Sequence, residues 1–153
     1  MSKKAHRDAD LILKLYELRR EKTMREARNW FFFFNPQSPK DFMDVLTGDK
    51  SGLYRMVVSY WDMAASFVNH GAIDAEMFND ANGEHFFVFA KVEPFLSTLR
   101  EMNGNPDYLA NLEKVVKAAP NYETRIAAVR ERLQKLIAVY QERAAAQAAA
   151  AGD

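Results

Sequence analysis

Five aromatic side chains stand in a row, Trp30, Phe31, Phe32, Phe33 and Phe34, at the end of a strongly charged segment. Consecutive residues of an α-helix are turned by about 100°, so five in succession point in every direction around the axis. No surface helix can hide such a run on one face. The rest of the chain, or a second copy of it, must enclose the end of this helix.

The segment leading to the run has helical spacing, with Leu11, Ile12, Leu15, Tyr16, Leu18 and Ala27 on the periodic positions. Asp8 or Asp10 is expected to cap it, and Pro36 to end it near Asn35. Glu21 with Arg25 and Lys22 with Glu26 are charge relations on a solvated face. Ser38-Pro39 reads as a cap and first helical position, opening a short helix that stops at Gly48. Leu53, Met56, Val57, Tyr60, Trp61, Ala64, Ala65 and Val68 form a wide apolar stripe, the central core helix, which Gly71 ends in the left-handed region. Asp74 caps a short turn carrying Phe78.

Glu84–Met102 is again apolar at helical intervals, and Pro94 inside it either kinks one helix or separates two. Phe86-Phe87-Val88-Phe89 also fits a short strand, but no partner strand is visible. Asn105 and Pro106 open the next helix, with Tyr108, Leu109, Leu112, Val115 and Val116 on its stripe. Asn121 starts the last, with Ile126, Val129, Leu133, Leu136, Ile137 and Tyr140 on one face. The result is an all-α, single-domain bundle of about six or seven helices, the first and last the longest. Residues 1–143 read as the domain and 144–153 as an alanine-rich helical tail.

Charge narrows the function classes. The formal net charge is zero, which argues against bulk attraction to nucleic acid or to an anionic membrane. The charges are segregated: residues 1–30 carry a net +4, residues 40–113 a net −7 and residues 114–153 a net +3. Basic ends lying against an acidic body, within one chain or between chains, account for this. Arg19, Arg20, Lys22, Arg25 and Arg28 make a basic stretch beside the aromatic run, but Glu17, Glu21 and Glu26 cancel much of its field, so nucleic-acid binding is disfavoured. Without cysteine there are no disulfides, thiol nucleophiles or iron–sulfur ligands, which fits a reducing compartment. No apolar run approaches the ~20 residues of a membrane span, and no apolar leader follows Met1, so a cytoplasmic location is expected.

The stretch Leu53–Phe78 resembles the core of a bacterial family of small all-helical domains of unknown function. The resemblance rests on the Trp61-Asp62 pair, on Gly71, Ile73 and Asp74, on Phe78, and on Pro94, Phe95, Leu96 and Arg100. It spans roughly residues 10–115 and implies an all-α fold, with no activity to carry over. Some relatives carry an N-terminal membrane helix, which is not seen in this sequence.

Motifs for chemistry are sparse. The three histidines, His6, His70 and His85, show neither Glu-x-x-His nor His-x-x-x-His spacing, so a metal site from His70, His85, Asp74 and Glu84 could assemble only in three dimensions. Gly48-Asp49-Lys50-Ser51 lacks the glycine before lysine that a phosphate-binding loop needs. Asp62, beside Trp61 on the core helix, must lie at the helix flank or be paired, with Arg55 or Arg100 as candidate partners. No catalytic, cofactor or metal residues are assigned. The preferred reading is a non-enzymatic interaction or self-association module, a dimer before larger species, contacting through Trp30, Phe31, Phe32, Phe33 and Phe34. The alternative is a small-ligand binder or enzyme with a pocket between helices formed by Trp61, Asp62, His70 and His85 together with Phe67, Phe86 and Phe89.

Overall fold

A computed structural model describes residues 2–152; Met1 and Asp153, the outer limits of the expected domain and tail, lie outside the described residues. Nine α-helices and one 3-10 turn follow one another, with no strand among the described residues. They are α1 (Lys3–Arg19), α2 (Lys22–Phe33), α3 (Pro39–Leu46), α4 (Ser51–Asn69), α5 (Ala75–Ala81), α6 (Glu84–Val92), the 3-10 turn Glu93–Phe95, α7 (Leu96–Asn103), α8 (Ala110–Ala118) and α9 (Tyr122–Ala151).

The all-α bundle is as expected, and Phe86–Phe89 is helical. The extra helices come from two divisions. The expected long first helix is two helices, divided at Arg20 and Glu21, and the Glu21 side chain does not pair with that of Arg25. Its carboxylate instead accepts from the backbone N–H of Thr23 at 3.0 Å and of Met24 at 2.9 Å, which caps a new helix. The end of α1 is then held from outside. Arg28 Nη1 donates to the Arg19 carbonyl at 3.3 Å, and the Tyr60 hydroxyl donates to the Leu15 carbonyl at 2.5 Å. At the other division, Pro94 separates α6 from α7 by a single tight turn.

Ser38, Gly71 and Asp74 end or open helices as expected, while the cap of α1 and the start of α8 differ. Ser2, not Asp8 or Asp10, caps α1, with its hydroxyl accepting from Ala5 N–H at 3.1 Å. Asp8 is buried and accepts from Asp74 N–H at 2.9 Å, which ties α1 to the start of α5. Ser38, Pro39 and Asp41 form the capping box of α3, and Gly71 follows α4 at φ +77°. The helix expected at Pro106 begins only at Ala110, because Leu109 takes the left-handed conformation at φ +55° and breaks the path before it.

At the centre, α4 buries Tyr54, Val57, Val58, Tyr60, Trp61, Ala64 and Ala65. It packs against α2 and α8, while α9 lies along α6. Only the first half of α9 contributes to the core, through Ile126, Val129 and Leu133. At 1.5 Å per residue its 30 residues run for roughly 45 Å. From Ala138 onward every described residue of α9 is exposed.

Candidate functional site

The aromatic run ends α2 and is divided among different surroundings. Phe31 is buried against Tyr54, with ring centroids 6.2 Å apart. Trp30 stacks on Phe34 at 5.2 Å, and Phe34 meets Phe42 edge to face at 5.4 Å. Phe32 lies parallel to Phe87 of α6 at 5.7 Å, with only 8° between the rings. Phe33 points outward, 49% exposed; its ring meets its neighbour Phe32 edge to face at 5.0 Å and Tyr140 of α9, itself 45% exposed, at 5.2 Å. One chain therefore shields four of the five rings wholly or in part. The helical rotation that made the run impossible to hide on one face has sent the fifth to the surface.

A lysine holds this helix end. Lys91 is buried, and its ammonium donates to the carbonyls of Phe31 at 2.8 Å, Phe32 at 2.7 Å and Phe34 at 2.5 Å. The Phe31 carbonyl also accepts from Phe34 N–H at 3.2 Å, whereas those of Phe32 and Phe34 have no backbone partner among the described residues. Burial presses Lys91 down to about 7. Three acceptors require three N–H donors, which only the ammonium has, and the negative end of the helix dipole also favours the cation. The rings of Phe87, 4.7 Å away, and Phe31, 5.4 Å away, face the same ammonium. Sequence reasoning assigns Lys91 no role. Its only signal is a lysine in the last turn of a helix that is apolar from Phe86 to Val92 apart from it, and such a lysine ordinarily reaches water.

Between α2, the start of α6 and the middle of α9 lies a groove of about 620 Å³. Phe31, Phe32, Phe87 and Leu133 line its apolar side, and Phe33, Leu136 and Tyr140 belong both to the groove and to the exposed surface. Arg25, Arg28 and Arg132 also line it, against Glu84 alone. Arg28 is committed: its Nε and Nη2 grip the Glu84 carboxylate at 3.0 and 2.8 Å, and that pairing raises the guanidinium's proton affinity further. Glu84 also accepts from the Trp61 indole N–H at 3.3 Å. Arg25 and Arg132 make no ion pair or side-chain hydrogen bond among the described residues.

The four residues of the expected pocket are not brought together. Trp61 and His85 are buried 5.6 Å apart, ring to ring, with Phe78 and Phe86 closing around His85. The Nε2 of His85 pairs with the Asn79 side-chain oxygen at 2.8 Å, while its Nδ1 has no partner among the described residues. Burial, with help from the positive Arg125 and Arg19, pushes His85 down to about 3, so the ring is neutral. Asp62 pairs with neither Arg55 nor Arg100. Its carboxylate accepts from Leu112 N–H at 3.0 Å and so caps α8, whose own preceding residue Leu109 has no suitable side chain. Arg100 is engaged with Glu113 at 3.1 Å and with the Tyr108 carbonyl at 3.0 Å. His70 is exposed at the end of α4, with Nδ1 2.8 Å from the Ser66 carbonyl, and Phe67 is partly exposed. No cluster of three metal-ligating side chains occurs among the described residues, and no helix among them is long and apolar enough to cross a membrane.

Residues 5–119 match the family described as "Domain of unknown function (DUF4760)". The match contains the Leu53–Phe78 stretch on which the family resemblance rests. No curated protein and no solved structure matches the chain.

Proposed function

We propose a non-enzymatic self-association role for this chain, which belongs to the DUF4760 family, a domain of unknown function. The contact is the face shared by α2 and α9, and the occupant is a second copy in a dimer. The observation that carries this reading is the outward pair Phe33 and Tyr140, joined along α9 by Leu136 at 38% and Val139 at 44% exposure. Large exposed apolar side chains are ordinary when scattered; gathered on one ridge beside arginines, they have the composition of an interface centre. The second half of α9 continues past the body, and its alanines, 144–146 and 148–151 on either side of Gln147, present a mostly smooth helix against which another helix can approach closely. On this reading residues 1–143 fold as the domain and 144–153 are a tail used in assembly. The lack of cysteine supports a reducing compartment such as the cytoplasm. Light scattering on the wild-type chain and on a Phe33→Ser, Tyr140→Glu double variant tests the proposal.

A further inference from the structure

We propose that the groove between α2, α6 and α9 binds a small amphipathic organic anion, an apolar body carrying a carboxylate or phosphate. Every lining residue comes from one chain, and the ligand's place is the bed of Phe32, Phe87 and Leu133 between Arg25 and Arg132, with the Phe33–Tyr140 ridge assigned to the second copy only at its rim.

Three observations converge. The groove, at about 620 Å³, has the size of a small-molecule site and offers the parallel Phe32–Phe87 pair and Leu133 as an apolar bed. Its charge is unbalanced, with three guanidinium groups and one carboxylate. The Arg28–Glu84 grip consumes one of each, and Glu84 is held a second time by the Trp61 indole. Two uncommitted cations, Arg25 from α2 and Arg132 from α9, therefore stand on opposite helices of one concave apolar surface. A planar guanidinium is suited to gripping carboxylate or phosphate through paired N–H groups. A neutral apolar ligand would leave both arginines unused. A purely ionic ligand would leave the aromatic bed wet. The concave shape, lined by three elements, fits a free molecule better than a flat lipid surface.

The test is titration calorimetry of the full chain with octyl phosphate, octanoate and the uncharged octyl glucoside, each below its micelle concentration. Saturable one-to-one binding is expected for at least one of the anions, at least tenfold tighter than for octyl glucoside. The Arg25→Gln, Arg132→Gln double variant should lose at least tenfold of it, while Arg55→Gln, an exposed change on α4, leaves it intact. The two groove arginines are exposed, and circular dichroism checks that the variant keeps its fold. Anions and octyl glucoside binding alike, no saturable binding, indifference to the double variant, or binding only to phosphatidylglycerol vesicles would each overturn the proposal. Light scattering on the same samples separates this outcome from self-association, since a monomer that binds the anion retains the groove and loses only the dimer.

Discussion

The Lys91 ammonium lies 2.8 Å from the carbonyl oxygen of Phe31, in a buried position that bridges α6 to the end of α2. Through this contact and its two companions, α6 fixes where the aromatic run stops and which ring faces outward. Replacing Lys91 by Met keeps the apolar stem and removes the donor, stranding carbonyls in an apolar setting. Urea unfolding should show a loss of about 2–4 kcal/mol. A change below about 0.5 kcal/mol would mean that water satisfies those carbonyls equally well.

His85 gives the fold a pH dependence whose sign is fixed by its environment. The folded ring is pushed down to about 3 from an ordinary 6.5. Below pH 6.5 the unfolded chain therefore binds a proton that the folded chain refuses, and stability falls as pH falls toward 3. The slope from one such group is about 1.4 kcal/mol per pH unit. Between pH 6.5, where the unfolded ring is half protonated, and pH 5, wild-type stability should fall by about 1.6 kcal/mol more than that of His85→Gln, measured by denaturant unfolding. Parallel curves for the two proteins would show that His85 takes up its proton in the folded state.

Asp62 tests the cap that α8 borrows from α4. Asp62→Ala removes the acceptor for Leu112 N–H and should cost about 1 kcal/mol. Hydrogen exchange should speed up first in the opening turn of α8. Unchanged exchange there would remove Asp62 from that role.

The sequence made the periodic elements readable. Apolar spacing located the core helix α4, and Ser38-Pro39, Gly71 and Asn121 marked helix ends by local backbone chemistry that needs no tertiary knowledge. Charged groups with two possible partners were harder to place. Glu21 could bond Arg25 across a helical turn or cap its own new helix, and Asp62 could pair with an arginine or cap α8. Both chose backbone N–H groups, which become available only where the chain breaks. The Lys91 contact was hidden for a related reason, since its three acceptors are main-chain carbonyls some 60 residues away in sequence. The aromatic run announced that it needed cover, but the division between rings covered within the chain and the one left outside depended on where α9 crosses.

On the proposed self-association, Phe33 and Tyr140, exposed in one copy, are covered by a second. Multi-angle light scattering over a range of protein concentrations measures this directly. A species of twice the 17.5 kDa chain mass is expected for the wild type, and a folded monomer for the Phe33→Ser, Tyr140→Glu variant. A wild-type chain that stays at the single-chain mass at every concentration would contradict it.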